Sequence, residues 1–591
     1  MARAGYPPAP MDDAARLGPA ERRRSLARMA EEVFDVVVIG GGVTGTGSAL
    51  DAATRGLSVA LLEQRDFAAG TSSRSSKLIH GGLRYLEQGN FALVREALQE
   101  RSLLLGRLCP HLVRPVSFLY PLHTPVLERA YVGAGLALYD ALARRRGAEG
   151  VLPRHRHLSR RGCLALAPGL RRDALTGGLL YFDAQVDDAR HTLAVARTAA
   201  LHGAALATSV RAVDFVREGE RVVGVRAVDL ESGAELVVRG RQLLNATGVW
   251  TDRVQSLAGR GQIRVRASKG VHLVVPRDRF HADTGLILRT EKSVLFVIPW
   301  GRHWIIGTTD TDWELDLAHP AASGADIDYL LARVNRVLAQ PLGRDDIEGV
   351  YAGLRPLLHG ESEATSALSR EHAVTQSVSG LLTVAGGKYT TYRVMARDAV
   401  DAAARNLPGA TAPSCTERIP LVGAEGYEAL WNRRAQVAVE WSLEPARVER
   451  LLQRYGARLP EVLAPGRERP EWLRPLAGAE DYLAAEIRYA ATHEGALHLD
   501  DVLTRRTRIS IETFHRGTAC ARAVADLLGD VLGWSDVDRR REVAHYEARV
   551  RAERESQAQR DDQTADAARL GAPDVRLGRA PALALQGMAG A

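Results

Sequence analysis

Cysteine is scarce in this chain: 591 residues hold four, Cys109, Cys163, Cys415 and Cys520. They are widely spaced and form no C-x-x-C pair, which argues against a disulfide framework, a zinc site or an iron–sulfur cluster and fits a reducing compartment. Aromatic residues make up only 5%. No platform of interleaved aromatic and basic residues stands out, so no nucleic-acid partner is expected. Long apolar runs are missing as well, and nothing reaches the roughly 20 residues that span a bilayer. The nearest candidate, Tyr131 to Ala143, carries Asp140 and ends on Arg144, Arg145 and Arg146. Near the N-terminus, Pro7, Pro8 and Pro10 precede Arg22, Arg23 and Arg24 with no apolar stretch behind them, so no secretory signal is expected.

What is present is 46% hydrophobic and 25% charged residues, enough for two or three domains with a large core. Lys and Arg total 78 against 71 Asp and Glu, a formal charge of +7. That balance points to an anionic partner without choosing among nucleic acid, membrane and phosphorylated metabolite. Residues 1–33 are Pro-, Ala- and Arg-rich and read as a flexible arm with one short helix from Pro19 to Glu32. Phe34 to Ile39 and Ser58 to Leu62 are short apolar runs of parallel-strand character. They flank a helix-length segment closed by Arg55-Gly56, which makes a βαβ unit. Arg241 to Ala246 and Gly380 to Ala385 read as further strands, and Leu295 to Ile298 with Trp304 to Ile306 as a hairpin. From Cys415 to Val550 the periodicity is helical and Ala-, Leu-, Glu- and Arg-rich, a separate domain. The predicted division is an arm over 1–33, an α/β body over 34–410, a helical domain over 411–550 and a disordered tail over 551–591.

Gly40-Gly41-Gly42-Val43-Thr44-Gly45 satisfies G-x-G-x-x-G between the first strand and its helix. Gly40 permits the tight turn, Gly42 lets backbone approach a pyrophosphate, and Gly45 lets helix pack on strand. Glu63, at the end of the second strand, is placed to accept from ribose hydroxyls. A glycine-rich turn with a surface glutamate is the plainer alternative. Just beyond, Thr71-Ser72-Ser73-Arg74-Ser75-Ser76-Lys77 is a dense hydroxyl and cationic run that suits a pyrophosphate and the polar edge of a flavin, or else a solvated loop.

Five longer strings decide more. IGGGVTGTGSALDAATRG (Ile39 to Gly56), SSKLIHGGLRYLE (Ser75 to Glu87), NATGVW (Asn245 to Trp250), FVIPW with IIGTTD (Phe296 to Asp310) and GGKYTTYRVMA (Gly386 to Ala396) resemble, in order and spacing, the FAD-dependent glycerol-3-phosphate dehydrogenases. The likeness continues through Tyr482 to Ile509 and covers roughly Phe34 to Val550. It implies an α/β fold in which an FAD-binding Rossmann-like domain is interleaved with a β-rich substrate domain, followed by an α-helical C-terminal domain. Expected cofactor contacts are Gly40, Gly42, Gly45, Glu63, Ser72, Ser75, Ser76, Val210, Ala246, Gly248 and Gly387.

Several cations stand beside glycine turns or in polar loops: Arg84, Arg355, Arg370 and Lys388, with His272 just after Lys269-Gly270. A phosphomonoester dianion needs such donors to converge, although any one of them alone reads better as a surface ion pair. The resemblance implies that Arg84, Tyr85, His272, Arg355, Arg370, Lys388 and Thr390 line the pocket for glycerol 3-phosphate. Arg355 and Arg370 are then the phosphate ligands, and Arg84 and Lys388 lie nearer the reacting alcohol. Oxidation at C2 gives dihydroxyacetone phosphate, with His272 the first candidate for base and hydride passing to flavin N5. A helix opening at Gly387-Lys388 is expected to aim its N-terminal dipole at the flavin's pyrimidine edge. No metal is expected.

The resemblance also implies a quinone as electron acceptor and peripheral attachment to the inner, cytoplasmic face of the cell membrane. An oxidase passing electrons to dioxygen, and a non-catalytic flavin-binding regulator, are the alternatives. Between Arg144 and Arg172 lie nine arginines and one acidic residue, Glu149, more than the whole net charge of the chain. Directly after the apolar Tyr131 to Ala143, this cluster suits an anionic membrane surface, or else solvated charge that steers an anionic substrate. The helical domain carries no motif with chemistry of its own and is expected to cap the body or to form a homodimer.

Overall fold

The computed structural model describes residues 13–144, 152–259, 261–290, 294–358 and 372–578. Helix α1 (Pro19–Glu31) leads into strand β1 (Val33–Ile39), helix α2 (Val43–Thr54) and strand β2 (Val59–Leu62). The near-continuous apolar run along β1 suits its place mid-sheet, since each of its faces meets a core. Val36 and Val38 enter the core beneath α2, whereas Phe34, Val37 and Ile39 enter a second core that contains Met29 of α1. The strand Glu235–Asn245 pairs parallel to β1, and Leu381–Gly386 parallel to it in turn; Ala205–Ala207 extends the sheet beyond β2. Helix α2 is built almost entirely of small residues and ends where Gly56 takes a φ of +84°.

Among the described residues a second, ten-stranded mixed sheet abuts the first. Its long central strand, Val265–Pro276, is antiparallel to His303–Gly307, Thr311–Trp313 and Gly349–Leu358. One face packs on helix Gly324–Val334 and the other on helix Leu127–Arg144, through Val132 and Leu136. Helices and short turns from Tyr427 onward form two further cores.

Buried ion pairs fasten this helical domain to the body. Asp66, just after β2, accepts from Arg505 Nε at 2.5 Å and from both terminal nitrogens of Arg506 at 2.6 and 2.7 Å. Asp188 accepts from Lys77 at 2.7 Å and Arg508 at 2.6 Å, and Glu494 takes the fork of Arg190 at 3.0 and 2.5 Å.

Two expectations from composition fail. Residues 13–33 are not a free arm: Met29 is fully buried, Leu17 N donates to His493 O at 3.1 Å, and Arg22 pairs with Asp229 at 2.5 Å. Residues 551–578 are not disordered. The helix Asp536–Ala558 runs straight through the predicted boundary, and Asp562–Leu570 and the turn Val575–Gly578 follow. Buried Ala565 and Ala572 and the buried, ion-paired Arg569 and Arg576 hold this stretch, so it needs no large apolar residue. The remainder of each predicted segment, 1–12 and 579–591, lies outside the described residues.

Candidate active site

Where β1 ends, Gly40 adopts a φ of +114° that side-chain-bearing residues avoid. A Cβ at Gly45 would stand 1.9 Å from Gly40 O, so helix and turn touch only because Gly45 has no side chain. Gly42 caps α2, and Val43 N donates to Ser72 Oγ at 2.9 Å, which brings the hydroxyl run to the helix N-terminus. Glu63 accepts from Gly41 N at 2.7 Å and Arg65 N at 2.8 Å. Burial nevertheless pushes its carboxyl pKa up, against those two donors and the nearby Arg65. Val210 N donates to Glu63 O at 2.8 Å, which seats Val210 beside it.

These groups line one cavity of about 890 Å³, within the range of cofactor-sized sites. Of the expected cofactor residues, Gly40, Gly42, Glu63, Ser72, Ser75, Ser76, Val210, Ala246, Gly248 and Gly387 face it, while Gly45 packs behind the turn. Ser75 has a structural duty too, since its N and Oγ donate to Asp188 at 2.9 and 2.7 Å. The cradle that a Cβ would fill, the open helix N-terminus and the carboxylate at the end of β2 together fit a dinucleotide.

Toward the second sheet, the cavity meets the expected substrate residues. His272 lies on Val265–Pro276 between Gly307 and Tyr351. Its ring stacks on Tyr351 at 4.7 Å, and its Nε2 is 2.9 Å from Ser76 Oγ. Gly307 leaves the space, for a Cβ there would come within 2.2 Å of the His272 ring. Burial, with Arg355 and Lys77 adding repulsion, holds the imidazole pKa well below its usual value. The ring is therefore neutral at physiological pH.

Arg355 is fixed in its plane. Its Nη1 donates to Ser268 Oγ at 3.3 Å and Asp310 at 3.2 Å, and its Nη2 to Thr308 Oγ1 and Thr309 O, both at 3.1 Å. Gly270 clears the way, because a Cβ there would stand 2.6 Å from that fork. Lys388 Nζ sits 3.6 Å from the centroid of Tyr85 and 3.4 Å from Gly81 O. Thr390 Oγ1 accepts from His80 N at 3.3 Å. Tyr85, His272, Arg355, Lys388 and Thr390 thus share the cavity. Arg84 opens the short helix Arg84–Glu87, and Arg370 lies outside the described residues.

One local expectation shifts. No helix opens at Gly387-Lys388: Gly386 and Gly387 both turn at positive φ, Lys388 is extended, and a 3-10 turn Tyr389–Thr391 precedes the helix Tyr392–Ala404. The two glycines delay the α-helix to Tyr392, with the 3-10 turn in between.

Other lining residues went unpredicted: His80, Arg65, Arg74, Trp250 and the tail residues Leu570, Pro573, Asp574 and Arg576. Burial and the neighbouring Arg65, Arg549, Arg505 and Arg569 push the Arg74 pKa down to about 9. Arg74 stands in the hydroxyl run and was visible there; nothing in the composition of the tail signals a place in the cavity.

The fold and the cradle define a flavin-dependent oxidoreductase, and the sequence agrees. Residues 35–393 match the family described as FAD dependent oxidoreductase, and residues 414–539 the C-terminal domain of alpha-glycerophosphate oxidase. Over 564 residues the chain is 60% identical to the glycerol-3-phosphate dehydrogenase of Mycobacterium leprae, covering 95% of this chain and 96% of that one. It is 36% identical over 534 residues to the mitochondrial glycerol-3-phosphate dehydrogenase of Mus musculus, covering 86% and 72%. The structure of the glycerol-3-phosphate dehydrogenase from Bacillus halodurans complexed with FAD superposes with a TM-score of 0.75 at 29% identity, over 90% of this chain and 98% of that one. The chain belongs to the FAD-dependent glycerol-3-phosphate dehydrogenase family, and its cofactor is FAD.

Proposed function

We propose that this chain oxidises sn-glycerol 3-phosphate to dihydroxyacetone phosphate and passes the electrons to a membrane quinone. The observation that carries the reading is convergence: Arg355, Lys388, Tyr85 and His272 meet in the cavity whose far end is the dinucleotide cradle. Bound FAD supplies, at N5, the acceptor for the hydride that leaves C2. The side chains do the rest. Arg355, with Arg370, takes the phosphate, its fork held flat by Ser268, Thr308 and Asp310. Neutral His272, steadied by Tyr351 and Ser76, receives the C2 hydroxyl proton. Lys388 and Arg84 offset the negative charge that develops on that oxygen.

The test is anaerobic addition of glycerol 3-phosphate to the yellow holoenzyme. Bleaching of the FAD absorbance is expected; its absence overturns the reading in favour of a flavin-binding regulator. The acceptor is decided separately. Rapid quinone reduction with little hydrogen peroxide in air supports the dehydrogenase, and near-stoichiometric peroxide replaces it with the oxidase.

A quinone acceptor calls for contact with a membrane, and we place that contact on the cytoplasmic, inner face. Among the described residues no helix is long and apolar enough to cross a bilayer. The helix Leu127–Arg144 supports surface docking instead. Val132, Leu136 and Tyr139 pack inward, whereas Leu127, Tyr131 and Leu138 point to solvent, as do Arg154, Arg156, Arg160 and Arg161 just beyond.

A further inference from the structure

The most C-terminal described stretch of the chain runs back across the cofactor cavity. Gln559 O accepts from Gly324 N at 2.7 Å, and Asp562 pairs with the buried Lys269, three residues before His272. Ala565 is fully buried in a small core with Val249, Leu354 and Trp313. Pro573 O is bonded to the His545 ring, and Arg576 ends the crossing with its Nη2 on both oxygens of Asp501, at 2.9 and 3.0 Å, and its Nε on Ser209 Oγ at 2.8 Å. Ser209 immediately precedes Val210, the residue seated on Glu63.

Between those anchors the segment forms a wall. Leu570, Pro573, Asp574 and Arg576 face the cavity. They stand at the Glu63 end, because Arg65 is within electrostatic reach of both Glu63 and Asp574. Leu570 is 51% exposed, and two other apolar side chains of the same cavity, Val213 and Leu257, are 40% and 38% exposed. Strand Val210–Glu218 and the helix that ends at Leu257 are tied together by Arg217 Nη2 on Ala258 O at 2.5 Å. An apolar slot left open beyond the ribose-binding carboxylate has the chemistry of an adenine site, flat and apolar on its faces.

We propose that residues 559–578 belong to the cofactor site as a strap over the adenosine half of FAD, with Leu570 and Pro573 against the base and Arg576 as the pin. The match to the C-terminal domain ends at residue 539, before this element, while the likeness to the mycobacterial relative continues past that residue. The proposal rests on placing the FAD ribose at Glu63. The strap acts on retention: a cofactor held between Val213 and Leu257 on one side and Leu570 on the other leaves only when the strap lifts.

The experiment measures FAD release from the diluted full-length holoenzyme through the fluorescence of the freed flavin. Leu570→Asp puts a charge on the slot at a half-exposed position that does not threaten folding, and Arg576→Ala removes the pin. Both are expected to release FAD at least about tenfold faster than the unaltered chain, with Lys388→Ala, at the opposite end, within about twofold. Release by Leu570→Asp within about twofold of the unaltered chain overturns the proposal, whatever Arg576→Ala does to stability. Glu63→Ala separates the two levels. Fast release from Glu63→Ala with slow release from Leu570→Asp removes the strap alone, and slow release from both removes the ribose placement with it.

Discussion

At the scale of single residues, the site is made as much by missing side chains as by present ones. Gly270 and Gly307 are the voids into which the Arg355 fork and the His272 ring fit. Gly307→Ala is therefore expected to push the imidazole off Tyr351 and Ser76, and to lower kcat about tenfold or more while the FAD absorbance stays. Lys388→Ala and Arg355→Ala are expected to retain FAD and to lower kcat/KM by about a hundredfold, roughly 3 kcal/mol, the scale of a lost charge-assisted contact. An unchanged kcat/KM for either variant removes that residue from the site. Glycines 40, 42 and 45 and Glu63 were legible because their spacing along one βαβ unit encodes the geometry directly. The partners of His272 were not, since Ser76 lies 196 positions away and only the folded sheet brings it within reach.

At the scale of elements, the segment Leu499 to Arg508 shows what a motif without chemistry can do. Its sequence offered no catalytic pattern, yet Asp500, Asp501, Arg505, Arg506 and Arg508 are all buried, and Arg508 donates to Ser73 O in the loop that bears Ser72 and Ser75. Asp66 is the receiving carboxylate on the body side, and the two arginines outweigh its burial to hold its pKa down at about 2. Asp66→Asn would take from buried Arg506 its ion-pair partner, while Arg505 keeps Asp500 and Asp501, and is expected to cost about 3 kcal/mol in chemical denaturation. A loss below about 1 kcal/mol would mean that the clasp is relaxed by solvent. The same physics defeated the compositional reading of both chain ends. Burial there rests on alanine, one methionine and paired arginines, a mixture that resembles a disordered tail when only hydrophobic content is counted.

For the whole molecule, domain attachment becomes sensitive to pH. His498 is buried between Glu231 of the body, at 2.8 Å, and Glu542 of the helical domain, at 3.0 Å. Burial disfavours its charge and Arg576 repels it, but the two carboxylates prevail and push its pKa up to about 9. A raised folded-state pKa stabilises fully below the ordinary value of about 6.5, and that stabilisation disappears as pH climbs through about 9. The urea midpoint is expected to fall between pH 7 and 9.5 by the equivalent of a few kcal/mol, and His498→Gln to flatten the dependence. A midpoint equally pH-dependent in His498→Gln would assign the effect elsewhere. The net charge also resolves at this scale. Neutralising Arg144, Arg145, Arg146, Arg154 and Arg156 should release the enzyme from anionic liposomes, and binding that survives would put the contact on another face.

The cavity draws its walls from Ile39 to Arg576. Arg576 and the Ser209 it grips are 367 positions apart. During synthesis at about 5–20 residues per second, roughly 20 to 70 seconds separate the appearance of the two. Through that interval a nascent chain can present a finished nucleotide cradle whose outer wall does not yet exist. Loading of FAD on the ribosome would then be readily reversible, and lasting capture would coincide with the arrival of residues 559–578.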